Sequence, residues 1–174
     1  MGYGTTNRSA RVRQTVLMGL MFALAMVLSY VESMITVPGL PPGVKLGLAN
    51  IVTVFALYQL GAGAALAILL TRCLLGGLFA GNVSAMLFSL LGGVTAMLVM
   101  IALRRCRRLS VYGVSVGGAA AHNIGQMAAA CITLGSTMVL GYLPFLLAVS
   151  LVTGTLTGFV TALLMRATQH IQFR

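Results

Sequence analysis

Six long apolar runs follow one another along the chain, and each is close to the length that crosses a bilayer. The hydrocarbon core is about 30 Å thick and a helix rises 1.5 Å per residue, so about 20 apolar residues span it. The runs lie at about 14–34, 46–60, 62–80, 84–103, 112–134 and 139–165. They predict an all-α integral membrane protein built as a bundle of six transmembrane helices.

The scarcity of acidic residues restricts the chemistry available to this chain. Of its 174 residues, 59% are apolar and 7% are charged, and Glu32 is the sole Asp or Glu. Paired carboxylates for acid–base catalysis and carboxylate-ligated metal ions are thereby excluded. Cys73, Cys106 and Cys131 show no disulfide or zinc spacing, and the chain has no Walker sequence for nucleotide binding. We expect no enzyme activity, no metal and no cofactor.

The basic residues lie almost entirely on one side of the predicted helices. A net charge of +10 would favour nucleic acid in a soluble protein, but here the arginines flank apolar runs, so no nucleic-acid partner is expected. Nine arginines precede the first run, join the fourth run to the fifth or follow the sixth. They are Arg8, Arg11, Arg13, Arg104, Arg105, Arg107, Arg108, Arg166 and Arg174. Lys45 alone lies in a loop of the opposite side.

This asymmetry predicts the orientation, because cytoplasmic loops are rich in Lys and Arg. We expect a multi-pass protein of the cell membrane with both termini in the cytoplasm. Its membrane domain would cover 14–165, between a loose basic tail at 1–13 and a second cytoplasmic tail at 166–174.

Arg72 is a functional candidate because it lies near the middle of the third run. An isolated charge there costs at least about 2.5–3.5 kcal/mol on insertion scales. It could receive an anionic or carbonyl-bearing ligand, or it could be structural, pairing with Glu32 or capping a broken helix. Glu32, at the outer end of the first run, could neutralise Arg72 or Lys45, accept a hydrogen bond from a ligand, or stay solvated at the interface.

Lys45 and Asn50 lie at the start of the second run, which is the shortest and could tilt or be partly re-entrant. Lys45 could extend to the interface or lie over an outward-facing pocket. Asn50, about a turn and a half deeper, would lack partners on a lipid-facing surface. We therefore expect it to face the bundle, toward a neighbouring helix or a ligand.

The densest polar cluster within a run is His122, Asn123 and Gln126. Residues four apart share a helix face, so His122 and Gln126 should point together. Hydrogen bonds between helices are the structural alternative, at about 0.6 kcal/mol each in a membrane bundle. We favour a ligand site here. The lone His122 cannot build a metal site with His170, which falls in the C-terminal tail.

Small residues on the first run form a second kind of candidate. Gly19 and Ala23 have the small-xxx-small spacing that lets helices approach closely. This face could pack inside the bundle or dock a membrane partner.

Four stretches carry a resemblance to a known family: PGVKLGLANIV (42–52), RCLLGGLFAG (72–81), SLLGG (89–93) and AHNIGQ (121–126). They resemble the Gx transporter family, also labelled heptaprenyl diphosphate synthase component I. That family is similar to the substrate-binding S components of energy-coupling factor (ECF) vitamin transporters, and the resemblance extends over about 14–165.

The resemblance implies a six-helix fold of the ECF S-component type that captures a small molecule near the outer face. A coupling membrane subunit and two cytoplasmic ATPase subunits would act in trans, and the first helix would dock the coupling subunit through Gly19 and Ala23. The implied substrate-binding residues are Lys45, Asn50, Arg72, His122, Asn123 and Gln126, to which we add Glu32.

The balance of Lys45 and Arg72 against Glu32 favours an anionic or carboxylated ligand, such as a vitamin-like molecule or a quinone precursor. Two other functions stay open. The chain could be a non-catalytic membrane accessory subunit of a prenyl diphosphate synthase, or a self-contained small-molecule transporter, although it shows no clear inverted repeat.

Overall fold

The computed structural model describes residues 3–34, 47–106 and 108–169, and these segments form a bundle of six α-helices. The helices are α1 (Tyr3–Met34), α2 (Leu48–Gln59), α3 (Ala62–Ala80), α4 (Val83–Arg105), α5 (Val111–Leu134) and α6 (Leu143–Ala167), with a short 3-10 helix at Thr137–Tyr142. No strand occurs in the described segments. Each apolar run corresponds to one α-helix, so the predicted all-α fold is confirmed.

Four helical stretches are long and apolar enough to cross a bilayer: Val12–Glu32, Ala62–Phe79, Val83–Arg105 and Thr137–Ala167. These make the chain a membrane protein. Helix α2 differs, because its 12 residues extend about 18 Å, well short of the bilayer core. The shortest run is therefore a helix that covers little more than half the membrane thickness.

The ends of the bundle differ from the prediction in two places. Helix α1 begins at Tyr3, so the chain before residue 14 extends this helix, and the expectation of a loose tail is wrong there. The last run is divided into the 3-10 helix and α6, whose first turn contains Pro144. Proline is tolerated in a first turn, where backbone N–H groups have no partner within the helix.

Contacts between helices give their directions. Leu69 lies against Gly93 and Gly77 against Met86, so α3 and α4 are antiparallel. In the same way Gly92 faces Gln126 while Gly118 faces Met100, so α4 and α5 are antiparallel. Helix α6 is antiparallel to α5, and α2 runs in the same direction as α4.

One end of the bundle therefore collects the arginines that lie outside the apolar runs. At this arginine-rich end, the arginines whose side chains the structure describes are Arg13, Arg104, Arg105, Arg108 and Arg166. The charge asymmetry read from the sequence thus corresponds to two different ends of the molecule, while the side of the membrane each faces stays a prediction.

Glycines bring α4, α5 and α6 into backbone contact. A Cβ atom added to Gly125 would lie 2.5 Å from the Leu91 carbonyl oxygen, and one added to Gly154 would lie 2.6 Å from the Val116 Cα. Real side chains cannot fit at such distances. These three helices therefore approach one another more closely than residues larger than glycine at these positions would allow.

Candidate functional site

A cavity lies between α2, α4, α5 and α6. Its polar lining residues are Asn50, Ser115, His122, Asn123, Thr153 and Thr157. Val54, Ala96 and Met100 contribute apolar wall. The space open to water-sized molecules is about 30 Å³, and since one water needs roughly 10–15 Å³ on this measure, the cavity has room for two or three waters. A larger ligand needs a wall to move.

The short length of α2 determines the depth of this cavity. The last turn of α2 lies at the arginine-rich end, so its first turn lies about 18 Å away along the helix axis, near the middle of the bundle. Gly47, which precedes α2, lies beside Thr157 in the middle of α6. The polar cavity is therefore at mid-depth, deeper than the outer-face position that the resemblance implies.

Glu32 connects the end of α1 to the start of α2. Its carboxylate is buried and accepts a hydrogen bond from the backbone N–H of Gly47. Gly47 has φ +82° and caps α2, and a negative charge is favourable at a helix N-terminus. Within the described residues, Glu32 is neither solvated nor paired with Arg72. Lys45, the other suggested partner, lies outside the described residues.

Asn50 faces the bundle, as predicted, and lies on the cavity wall. Its side-chain amide makes no hydrogen bond to any residue of the described segments. The amide is therefore available to molecules in the cavity.

The predicted polar cluster on α5 is divided between two environments. His122 and Asn123 line the cavity, and the Asn123 side-chain amide donates to the Leu146 carbonyl oxygen of α6 at 2.8 Å. His122 and Gln126 share a face and both lie against Gly92 of α4, as their spacing predicted. Gln126 is buried there and does not line the cavity. The cluster thus serves both proposed roles, cavity wall and helix contact.

Arg72 lies away from the cavity. It is buried on α3, and its Nε atom makes no hydrogen bond within the described part of the chain. The helices around the cavity are α2, α4, α5 and α6, whereas α3 packs on α1, α2 and α4. The expected cation is consequently absent from the described cavity wall, and a ligand-binding role for Arg72 stays a prediction.

Sequence reasoning missed three hydroxyl side chains of the wall. Ser115 lies on α5, and Thr153 and Thr157 lie one turn apart on α6. The Thr157 hydroxyl donates to the Thr153 carbonyl oxygen at 2.8 Å. Serine and threonine at 150, 153, 157 and 161 do form a helical stripe in the sequence. Because such hydroxyls bond to their own helix and are common in membrane spans, this signal is weak.

Arg104 also has a role that the sequence did not indicate. Its guanidinium group donates to the Leu57 carbonyl oxygen and, at 3.4 Å, to the Tyr58 carbonyl oxygen. It also lies 4.9 Å from the centre of the Tyr58 ring. These carbonyls belong to the last turn of α2, which lacks partners within its own helix. Arg104 therefore fastens α2 to α4.

Gly19 and Ala23 are exposed on α1. A Cβ atom added to Gly19 would meet no heavy atom within 4 Å. Of the two alternatives for this face, packing inside the bundle does not occur in the described structure. The face is open to lipid or to another protein.

The described residues offer no cluster of three or more His, Cys, Asp or Glu side chains that could hold a metal ion. In comparisons with known proteins, the model of the family described as heptaprenyl diphosphate synthase component I matches residues 21–164. The match extends from within α1 to near the end of α6. No curated protein and no solved structure gives a significant match.

Proposed function

Since the chain belongs to the heptaprenyl diphosphate synthase component I family, we propose that it is the substrate-binding S component of an ECF-type importer. The family is also labelled Gx transporter, and it resembles the S components of such importers. The chain works in the cell membrane with both termini in the cytoplasm. A coupling membrane subunit and two cytoplasmic ATPase subunits act with it in trans.

The observation that carries this proposal is the polar cavity at mid-depth. Polar side chains in a membrane bundle are costly and mark ligand pathways. Here four helices surround one space that is lined by two amides, an imidazole and three hydroxyl groups. Such convergence of a few polar groups in a largely apolar wall is typical of small-molecule sites.

The chain's own residues favour a subunit that depends on partners for energy. It has no nucleotide-binding sequence, and its one carboxylate, Glu32, is engaged by the Gly47 N–H. Proton-driven transporters use chains of buried Asp, Glu and His. A self-contained transporter is for this reason the weaker alternative.

The ligand is a small, anionic or carboxylated molecule, vitamin-like or a quinone precursor. The positive end of α2 begins at Gly47 on the cavity wall, and helix N-termini inside membranes orient toward anionic groups. Lys45 precedes Gly47 by two residues. Because the Glu32 carboxylate already accepts from the Gly47 N–H, a negative group of the ligand at this end, near Asn50, would depend on Lys45 for an opposite charge.

A second candidate, an accessory subunit of a prenyl diphosphate synthase, is favoured by the description of the family. The chain has no aspartate, whereas magnesium-bound diphosphate is usually held by carboxylates. In that role it could supply only an apolar surface or an anchor for a catalytic partner.

Isolation of the chain from native membranes in mild detergent separates these functions. We expect two ATPase subunits and a coupling membrane protein to accompany it. Ala23→Leu, which adds bulk to the exposed α1 face, should reduce their recovery at least about tenfold, while Ala128→Leu, at a position that is also exposed but lies on α5, should not. Recovery of a soluble prenyl synthase instead, or of the chain alone, would overturn the proposal.

Asn50→Ala tests the cavity as the binding site. A lost hydrogen bond to a neutral group is worth about 0.5–1.5 kcal/mol, so we expect about 2–10-fold less small molecule retained per mole of purified protein, measured by mass spectrometry. Thr155→Val, on the exposed face of α6, is the control. Equal retention by both variants would contradict this assignment.

A further inference from the structure

Three exposed arginines lie where α4 ends, α5 begins and α6 ends. Arg105 is the last residue of α4, Arg108 lies between α4 and α5, and Arg166 lies in the last turn of α6. The start of α5 packs on α6, since a Cβ atom added to Gly158 would lie 3.0 Å from the Tyr112 Cα. Arg166 follows Gly158 by about 12 Å along the helix. We call the three arginines the α4–α6 cluster.

The α4–α6 cluster lies at the depth of the lipid headgroups. Arg105 and Arg166 lie at the ends of two apolar stretches that are long enough to cross a bilayer, Val83–Arg105 and Thr137–Ala167. Long basic side chains at the end of such a stretch extend to the membrane interface. The guanidinium groups of the cluster are therefore placed beside the phosphate groups of one leaflet.

The chain has no acidic side chain that could neutralise this cluster. Glu32 is its sole Asp or Glu, and the Glu32 carboxylate accepts a hydrogen bond from the Gly47 N–H. Glu32 also lies near the end of α1, whereas it is the start of α1 that lies at the arginine-rich end. The anion that balances the cluster must consequently come from another molecule.

The choice of arginine favours phosphate as that anion. Lys45 is the sole lysine, so the basic residues that flank the apolar runs on this side are all arginine. Orientation in the membrane requires only positive charge, which lysine supplies equally well. A guanidinium group, however, donates two parallel hydrogen bonds to a phosphate, whereas an ammonium group acts as a point charge.

The surface that leads from the cluster toward the middle of the bundle is apolar and exposed. Tyr112 on α5 and Phe159 and Leu163 on α6 are each at least 39% exposed. A molecule held by the cluster therefore meets cations at one end and apolar side chains beyond them. A phospholipid, with its phosphate and acyl chains, matches both parts, whereas an acidic segment of a soluble protein would match only the cations.

We propose that the α4–α6 cluster binds the phosphate group of anionic phospholipids, with the acyl chains along the exposed apolar side chains of α5 and α6. This inference goes beyond the proposed function and does not depend on it, because an importer subunit and an accessory subunit would present the same surface. It assigns this end of α4, α5 and α6 to lipid and leaves the exposed α1 face to protein.

Native mass spectrometry of the purified full chain tests this proposal. The protein is mixed in detergent with equal amounts of phosphatidylglycerol and phosphatidylcholine that carry the same acyl chains, and the retained lipids are counted. We expect at least about fivefold more phosphatidylglycerol than phosphatidylcholine. Arg108→Gln and Arg166→Gln should each lower phosphatidylglycerol retention about fivefold, the effect of one basic side chain near an anionic surface. R108K and R166K, which keep the charge, should lower it about twofold.

Arg13→Gln is the matched control. Arg13 is exposed at the same end, but it lies on α1, which packs on α2 and α3, so R13Q should change retention less than twofold. A loss in R13Q equal to that in R108Q would mean diffuse attraction by charge and would overturn the site. Equal retention of the two lipids by the unaltered chain would overturn the lipid preference.

The same variants separate lipid binding from protein binding. All of these substitutions are at exposed positions, and size-exclusion profiles in detergent verify that each variant is folded. If R108Q and R166Q retain phosphatidylglycerol but lose the ATPase subunits on isolation from native membranes, the cluster binds protein and the proposal is wrong. Absence of ATPase subunits from the unaltered chain would overturn the importer role and leave the lipid result intact.

Discussion

At the residue scale, the sequence left the role of Glu32 open, and its buried position in the structure identifies that role. Three roles were compatible with a carboxylate at the end of the first run, and depth was the unknown quantity. In the structure the following helix starts deep in the bundle, and the carboxylate meets the N–H of Gly47 there. The short α2 creates this partner, and no local pattern around residue 32 indicates it.

We predict that Glu32→Ala destabilises the fold by about 1–3 kcal/mol, the cost of a buried donor left without an acceptor. Glu32→Gln keeps an acceptor oxygen at the same position and should lose less. Thermal unfolding in one detergent, followed by circular dichroism at 222 nm, measures both. Equal destabilisation by the two variants would show that charge, and not the hydrogen bond, matters at this position.

The residues that line the cavity were predicted unevenly, for a physical reason. Asn50, His122 and Asn123 were found because amides and imidazoles are rare and costly in apolar runs, so their presence alone is informative. Ser115 and Thr157 were missed because hydroxyls can satisfy themselves on their own helix. Arg72 was placed with the others by its depth, but depth does not specify which neighbours a helix face meets.

At the scale of elements, the contact between α4 and α5 is the most demanding feature of the bundle. Gly125 touches the α4 backbone at Leu91 and Gly92, where no side chain can move aside. Helix bounds were predictable to within a few residues for α3 and α4, because Gly61, Gly81 and Asn82 lie at their ends. The register of one helix against another was not predictable, since it depends on many small contacts.

Gly125→Ala should therefore prevent formation of the folded bundle. Overpacking of a well-packed core costs about 1–3 kcal/mol even where side chains can shift, and here the obstacle is backbone. The matched control is Gly76→Ala, mid-helix on α3 with no heavy atom within 4 Å of the added Cβ, which should keep or raise stability. Size-exclusion profiles in detergent compare the two, and a monodisperse G125A protein would contradict the structure.

Arg104 gives a second prediction at this scale. Arg104→Ala removes charge-assisted hydrogen bonds of about 1.5–3 kcal/mol from the end of α2, so amides of its last turn should exchange with deuterium at least about tenfold faster. Arg105→Ala removes the same charge from the same last turn of α4, but Arg105 is exposed, so its substitution should have little effect. Similar exchange in both variants would exclude the capping role.

At the scale of the whole molecule, the arginine-rich end predicts orientation in the membrane. Cys106 is exposed at this end, and Ser84 is exposed at the other. In a C131A background, a membrane-impermeant sulfonated maleimide should label S84C in intact cells and Cys106 only after the membrane is opened. Labelling of Cys106 in intact cells would reverse the predicted topology.

The walls of the cavity differ in how much change they can tolerate. Helices α4, α5 and α6 are joined by glycine contacts that leave no space for a larger residue, whereas Asn50 of α2 is only partly buried at the cavity wall. A new ligand preference is therefore most easily acquired at Asn50, the partly exposed cavity position of α2, without rebuilding the rest of the bundle. Descendants of such a protein can diversify what they recognise by exchanging a single side chain on its shortest helix.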